Sequence, residues 1–204
     1  YLAIRYDITE RKAAEEEVIK LNRLYAFISE INQSIVHMNN ETELLKRACD
    51  IAVHTGGFKL AGIELLQPDD SLKTAAISGH SDVLNILELL NRNDTTRFIA
   101  RNTPVEIALK TEAYALNNDL SNDVELQNIK SELEAIGVRS AISLPIKRYG
   151  QMVGVFNLSS SVEHFFDHRE IDLLLEAAGD ISFAFENFDK ARKHKQAEEQ
   201  VYYS

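Results

Sequence analysis

The chain has one cysteine, Cys49, in 204 residues, which excludes an internal disulfide. No apolar run approaches the roughly 18 residues that a bilayer span needs, and no secretory leader is recognisable. The expectation is a cytoplasmic segment, whatever a longer parent chain does. Positive charge is short as well: 22 Lys and Arg stand against 32 Asp and Glu, a formal net charge of -10. That balance, with a pI near 5.1, opposes a broad electrostatic footprint for nucleic acid or anionic lipid. Neither a nucleic-acid partner nor direct membrane contact is expected. Groupings that carry chemistry are also missing, since there is no P-loop, no dinucleotide fingerprint and no Ser, His and Asp set. His164 and His168 are four apart, but Asp167 between them reads as a helix cap, so they do not share the helical face a metal pair requires. No metal site is expected. Cys49 lies beside Leu45 and Ala52 on an apolar stripe, the setting of a small buried thiol and not of a nucleophile.

What is present is 45% apolar residues, enough for a core in a chain of this length. The stretch from Gly137 to Phe188 organises it, as a hairpin followed by a long amphipathic helix. If Arg148, Tyr149 and Gly150 form a three-residue loop with Gly150 left-handed, Ser143 lies opposite Val155 and Ala141 opposite Asn157. One face then carries Ile142, Leu144, Ile146, Met152, Phe156 and Leu158. The other carries Ala141, Ser143, Val155, Asn157 and Ser159, small and polar enough to border a cavity. A two-residue loop would set Ile142 against Asn157 and mix the faces. After the hairpin, Phe166, the cap Asp167, Glu170 and Ile171 spell a capping box with a hydrophobic staple, so a helix should begin at His168. Its stripe of Ile171, Leu174, Ala178, Ile181, Phe185 and Phe188 can cover the apolar face of the hairpin. Beyond Phe188 the stripe turns polar at Arg192 and Lys195, and the helix should leave the globule.

Earlier in the chain, Tyr1 to Tyr6 alternates like the end of a strand. Asp7 with Glu10 can cap a helix through about Met38, in which Ala14, Val18, Leu21, Tyr25, Ile28, Asn32 and Ile35 keep a heptad spacing. Two copies could pair along that seam with Asn32 fixing the register, or Asn32 could simply face water. Asn40 with Glu43 opens a second helix that Gly56 and Gly57 stop. Strands are predicted at Phe58 to Leu66 and Leu72 to Ser78, and a short helix from Ser81 to about Leu90. Thr103, Pro104 and Glu106 start another helix, followed by a short strand near Ala113 to Leu116. Asn122 with Glu125 should cap a last short helix that Gly137 ends. This order of elements argues for an antiparallel sheet covered by helices. Glu10 to Val18 repeats in Lys193 to Val201, sharing Lys, Ala, Glu, Glu and Val in register. Both copies flank the globule, as connecting helices in a serial array would.

Gly137-Val-Arg-Ser, Leu144-Pro-Ile, Gly150, Val153-Gly-Val and Phe165-Phe-Asp-His-Arg-Glu170 resemble the second half of a GAF domain. Asn118-Asp119-Leu and Gly56-Gly-Phe-Lys-Leu-Ala fit the same family, and the resemblance spans about residues 20 to 190. Tyr1 to Lys12 looks like the final strand and exit helix of a PAS domain, giving 1–19 as its end. Lys193 to Tyr203 is similar to the linker that enters a GGDEF diguanylate cyclase, giving 191–204 as a connecting helix. The resemblance implies an α+β sensory domain with about six antiparallel strands between helical layers and long terminal helices. It also implies a homodimer formed through those helices, with neighbouring PAS and output domains in one bacterial signalling chain. A small molecule would sit on the sheet face opposite the helices, against Ala61, Ile63, Ser143, Val155 and Asn157, with Asp119 at the rim. Its identity is left open. Arg97 to Glu106 lacks the glycines that many relatives carry there, and the Asn-Lys-Phe-Asp-Glu signature of cyclic-nucleotide binders is missing, which disfavours a nucleotide. Relatives that reduce methionine sulfoxide rely on several cysteines. The segment itself is therefore expected to be non-catalytic, and the alternative reading is a ligand-free dimerisation and spacer module.

Overall fold

The computed structural model describes residues 2–85 and 103–202. In chain order these form α1 (Leu2–His37), α2 (Glu41–His54), β1 (Leu60–Leu66), β2 (Leu72–Gly79), a helical stretch at 81–85, α3 (Pro104–Thr111) and β3 (Ala115–Asn117). A 3-10 helix (Val124–Ile129) then runs into α4 (Lys130–Ile136), followed by β4 (Ser140–Arg148), β5 (Gln151–Ser160) and α5 (His168–Tyr202). Among the described residues five strands make one antiparallel sheet in the order β2-β1-β5-β4-β3. The rest of the helix expected from Ser81 to Leu90 lies outside the described residues. No described helix is long and apolar enough to cross a membrane.

Local signals set most of the helix ends. Asn40 caps α2 by accepting hydrogen bonds from the Thr42 and Glu43 amides, and Thr103 caps α3 through the Glu106 amide with Pro104 in the first turn. Asp167 accepts from the Arg169 and Glu170 amides while the Glu170 carboxylate accepts from the Asp167 amide. That reciprocal box starts α5 at His168, as expected. The Asn122 side-chain amide donates to Asp119, and the side chain of Glu125, the other half of the expected cap, lies outside the described residues.

Two further expectations fail at the N-terminus. The stretch read as a strand, Tyr1 to Tyr6, is helical from Leu2, so the helix does not start at Asp7, which lies inside α1. A strand needs a ladder partner, and none pairs with it among the described residues. The stripe of α1 that faces the globule is Leu24, Phe27, Ile28 and Ile31, all buried, whereas Val18 and Tyr25 of the expected intermolecular seam are exposed. Asn32 faces outward with them.

The main core fills the space between one sheet face and α1, α2 and α5. It joins Leu24, Phe27 and Ile31 of α1, Leu45, Ala48 and Ile51 of α2, and Ile142, Leu144, Ile146, Phe156 and Leu158 of the hairpin. The stripe Ile171, Leu174, Ala178, Ile181 and Phe185 closes it from α5. Phe58 stands at one end, its ring centroid 6.1 Å from Phe27, 5.7 Å from Phe165 and 6.3 Å from Phe166. Burying such rings contributes about 2 to 3 kcal/mol each, before the losses in chain entropy.

The hairpin reaches the expected division of faces by another route. Its loop is the two-residue turn Tyr149 and Gly150, with φ of 52° and 78°, the doubly left-handed geometry that suits strand twist. Arg148 pairs with Gln151 and Lys147 with Met152, but Ile146 pairs with Gly154, so Val153 is bulged out of the ladder. The extra residue restores parity: Ile142 faces Leu158, and Ser143 faces Asn157 in place of the expected Val155. Met152, on the loop side of the bulge, packs with Val155 on the opposite face from its expected neighbours. Gly154 is required here, since a Cβ would run into the Glu64 carbonyl oxygen of β1.

Candidate functional site

The sheet face away from α1, α2 and α5 is covered at two places. At one, α3 packs Ala108 on Ala115 and Val155, with Val105 and Met152 alongside. At the other, Val83, Leu120, Leu126, Ile136 and Val138 cluster against Leu60 and Ala141. Polar side chains occupy this face as well. Gly62 pairs with Asn157, and Asn157 with Ser143, which sets three neighbouring strands in one row. The Ser143 hydroxyl donates to Asn157 Oδ1 at 2.5 Å. Asn157 Nδ2 in turn donates to a carboxylate oxygen of Glu64, two residues beyond Gly62 on β1.

Glu64 is the residue that sequence reasoning missed. It is half-buried, and burial pushes its pKa up to about 7 against the opposing hydrogen bond from Asn157. Glycine at 62 leaves room for the carboxylate, because a Cβ there would sit 3.3 Å from Glu64 Oε1. The signal was available, since Glu64 is the lone charged side chain in Leu-Ala-Gly-Ile-Glu-Leu-Leu and marks which parity of that strand is not core.

The same parity corrects two expected ligand contacts. Ala61 pairs with Leu158 and Ile63 with Phe156, so both point under the helices and are fully buried in the main core. Their places on the opposite face are taken by Gly62 and Glu64. Ser143 and Asn157 lie on the expected face and touch each other. Val155 shares that face but is buried beneath α3. Asp119 sits past the end of β3, where its backbone amide is held by Asn117 and its carboxylate accepts from Asn122. It belongs to its own turn and is not hydrogen-bonded to the Ser143, Asn157 and Glu64 chain.

Cys49 is fully buried on the other side of the sheet. Burial, reinforced by the negative charge of Glu64 and Asp50, pushes its thiol well above the ordinary range, so it is not a ready thiolate. Among the described residues no cluster of His, Cys, Asp and Glu has the makings of a metal site.

Several contacts tie this sheet to the terminal helices. Asn118, next to β3, clamps Phe166 at two points, donating to its carbonyl at 2.8 Å and accepting from its amide at 3.1 Å. At the hairpin tip, the Lys147 amide donates to Ser182 and the Tyr149 amide to Glu186. Arg148 bridges Glu41 of α2 at 2.8 Å and the buried Asp189 of α5 at 3.5 Å, stacked over Phe185. Between the long helices, Lys20 pairs with Glu170 at 3.0 Å and donates to the Phe165 carbonyl. Burial and the neighbouring Asp167 push the Glu170 carboxyl above its ordinary range, against the pull of Lys20.

Solved structures with this arrangement include a free methionine-R-sulfoxide reductase from Neisseria meningitidis in complex with its substrate. It has a TM-score of 0.63 at 17% identity, over 82% of this chain and 91% of that one. The reduced form of fRMsr of Staphylococcus aureus aligns with a TM-score of 0.60 at 12% identity, over 79% and 94% of the two chains. The nlh2 GAF domain of A. aeolicus in an inactive state aligns with a TM-score of 0.57 at 15% identity, over 85% and 99%. At these identities the likeness shows the fold. No curated protein matches the chain. The GAF domain family model matches residues 39–186, most of the length and all five strands, and the chain belongs to the GAF domain family.

Proposed function

We propose that this GAF domain is a regulatory sensor that holds a small molecule on the sheet face opposite its terminal helices and passes its state through them. The observation that carries this reading is the chain of Ser143, Asn157 and Glu64 hydrogen bonds on a face otherwise lined by apolar clusters. A buried polar network is costly unless each member is satisfied, and Glu64 retains acceptor capacity. The route outward is supported by the anchoring of β4 and the hairpin turn on α5 at Ser182, Glu186 and Asp189, and by the Asn118 clamp at the start of α5. A ligand acts on such a route only by favouring one helix arrangement over the other.

The domain works as a homodimer between a preceding PAS domain and an output domain, for which the linker-like Lys193 to Tyr203 favours a diguanylate cyclase. It is not itself catalytic. Sulfoxide reduction by thiols starts from an accessible, reactive thiol, and the chain's one cysteine, Cys49, is buried with its ionisation pushed up. A second reading, dimerisation and spacing without a ligand, is favoured by an open groove along α1 at Tyr25, Ile28, Asn32 and Val36, where Tyr25 and Val36 are exposed. A crystal structure of the purified chain separates the two. Density for a small molecule against Asn157 or Glu64 is expected, and a face filled by the chain's own side chains would leave only the spacer.

A further inference from the structure

Every donor in the polar row points the same way. Ser143 donates to Asn157, Asn157 donates to Glu64, and the row ends on a carboxylate. Among the described residues Glu64 makes no ion pair. Among the described residues, basic groups of the surrounding elements are engaged elsewhere: Lys59 with Asp82, Lys110 with Glu106, and Arg139 with Glu163. Lys73, on the edge strand, is exposed. A half-buried carboxylate with no counter-ion among the described residues and a spare oxygen above Gly62 is a receptor for positive charge. One carboxylate and one amide are too few donors for a hard metal ion, which takes about six oxygens. They suit an organic cation, whose N–H groups can divide between two acceptors. The apolar borders at Leu60 and Ala141 on one side and Val155 and Met152 on the other fit a hydrophobic body attached to it. The net charge of -10 adds long-range attraction of the same sign.

We propose that the face takes a small molecule with a cationic nitrogen, of ammonium or guanidinium type, on an apolar body, with Glu64 as its counter-ion and Asn157 and Ser143 holding that carboxylate in place. This rests on the reading of the face as a ligand site and adds the ligand's chemical class. The elevated pKa of Glu64 fits the assignment, because a bound cation supplies the partner that keeps the group charged.

The test is an NMR titration of the whole chain with phenylguanidinium, its neutral isostere phenylurea, and benzoate. Phenylguanidinium should shift the Asn157 side-chain amide and the Ser143 amide saturably, at least about tenfold more tightly than phenylurea. Glu64→Gln should bring the two affinities together, and Glu64→Asp, which keeps the charge, should preserve their order. Retention of spectral dispersion shows that each variant is folded. Equal affinity for phenylurea or benzoate, or tight phenylguanidinium binding that survives Glu64→Gln, overturns the ligand class while leaving a ligand face in place. No saturable shift with phenylguanidinium also overturns it, and the sensing reading then stands or falls on the crystallographic density.

Discussion

Replacing Glu64 by glutamine should change how the stability of the domain depends on pH, in a direction opposite to that of ordinary surface carboxylates. In the unfolded chain the group ionises at its usual 4.5, and in the folded protein at about 7. Between those values the folded state holds the extra proton, so stability from this group is fully present below 4.5 and lost as pH rises through about 7. At about 1.4 kcal/mol for each tenfold change in proton affinity, the loss is about 3 kcal/mol. The glutamine side chain is a close isostere of the neutral acid, able to accept the same hydrogen bond from Asn157, and it does not titrate. Urea unfolding of both proteins across the pH range is the assay, read as the difference between the two curves, which cancels Glu170, Asp167 and every other shared group. The two should have similar stability below about pH 4.5, and Glu64→Gln should be the more stable by about 3 kcal/mol at about pH 8. Parallel curves, or a wild type that is the more stable above neutrality, would refute the assignment of Glu64 as a carboxyl whose ionisation burial opposes.

Other substitutions test the scaffold. Phe58→Ala removes the ring at the centre of the Phe27, Phe165 and Phe166 cluster and should cost about 3 to 5 kcal/mol in urea unfolding. Lys20→Met leaves the buried Glu170 without its cation and should cost about 3 kcal/mol, whereas adding Glu170→Gln, which removes the charge and can still accept from the Asp167 amide, should recover most of that loss. Asn118→Ala frees both backbone groups of Phe166, costing about 2 kcal/mol, and hydrogen exchange should show faster opening at the first turn of α5. Asn40→Ala, which removes the cap of α2, should cost about 1 kcal/mol in the same unfolding assay.

The parts of the fold that sequence reasoning reached are those whose cause is local. The Asp167 and Glu170 box, the Asn40 cap and the Thr103 and Pro104 start each involve groups within three residues of one another, so the pattern contains its own partners. The hairpin shows the limit. Its two faces were legible from alternation, but the same division follows from a three-residue loop or from a two-residue loop with a bulge at Val153. The choice is made by β1, which approaches so closely that position 154 must be glycine. The site failed for a related reason. In β1 every residue but Gly62 and Glu64 is apolar, so alternation is weak and the single carboxylate is the one local mark of the parity that lies away from the helices. Pairing with β5 decides it. Alternation in Leu2, Ile4 and Tyr6 suggested a strand, yet alternation without a neighbouring ladder has nothing to bond to, and the backbone joins α1.

The account's central claim is that the face carrying Ser143, Asn157 and Glu64 is where a small molecule binds. Native mass spectrometry of the chain and of Asn157→Leu, purified side by side from the same host, tests it most directly. The account predicts an added small-molecule mass on the wild type that is absent from the variant, with both proteins folded. An added mass carried equally by both would contradict it, and so would a wild type that stays at its bare mass after incubation with a cell extract.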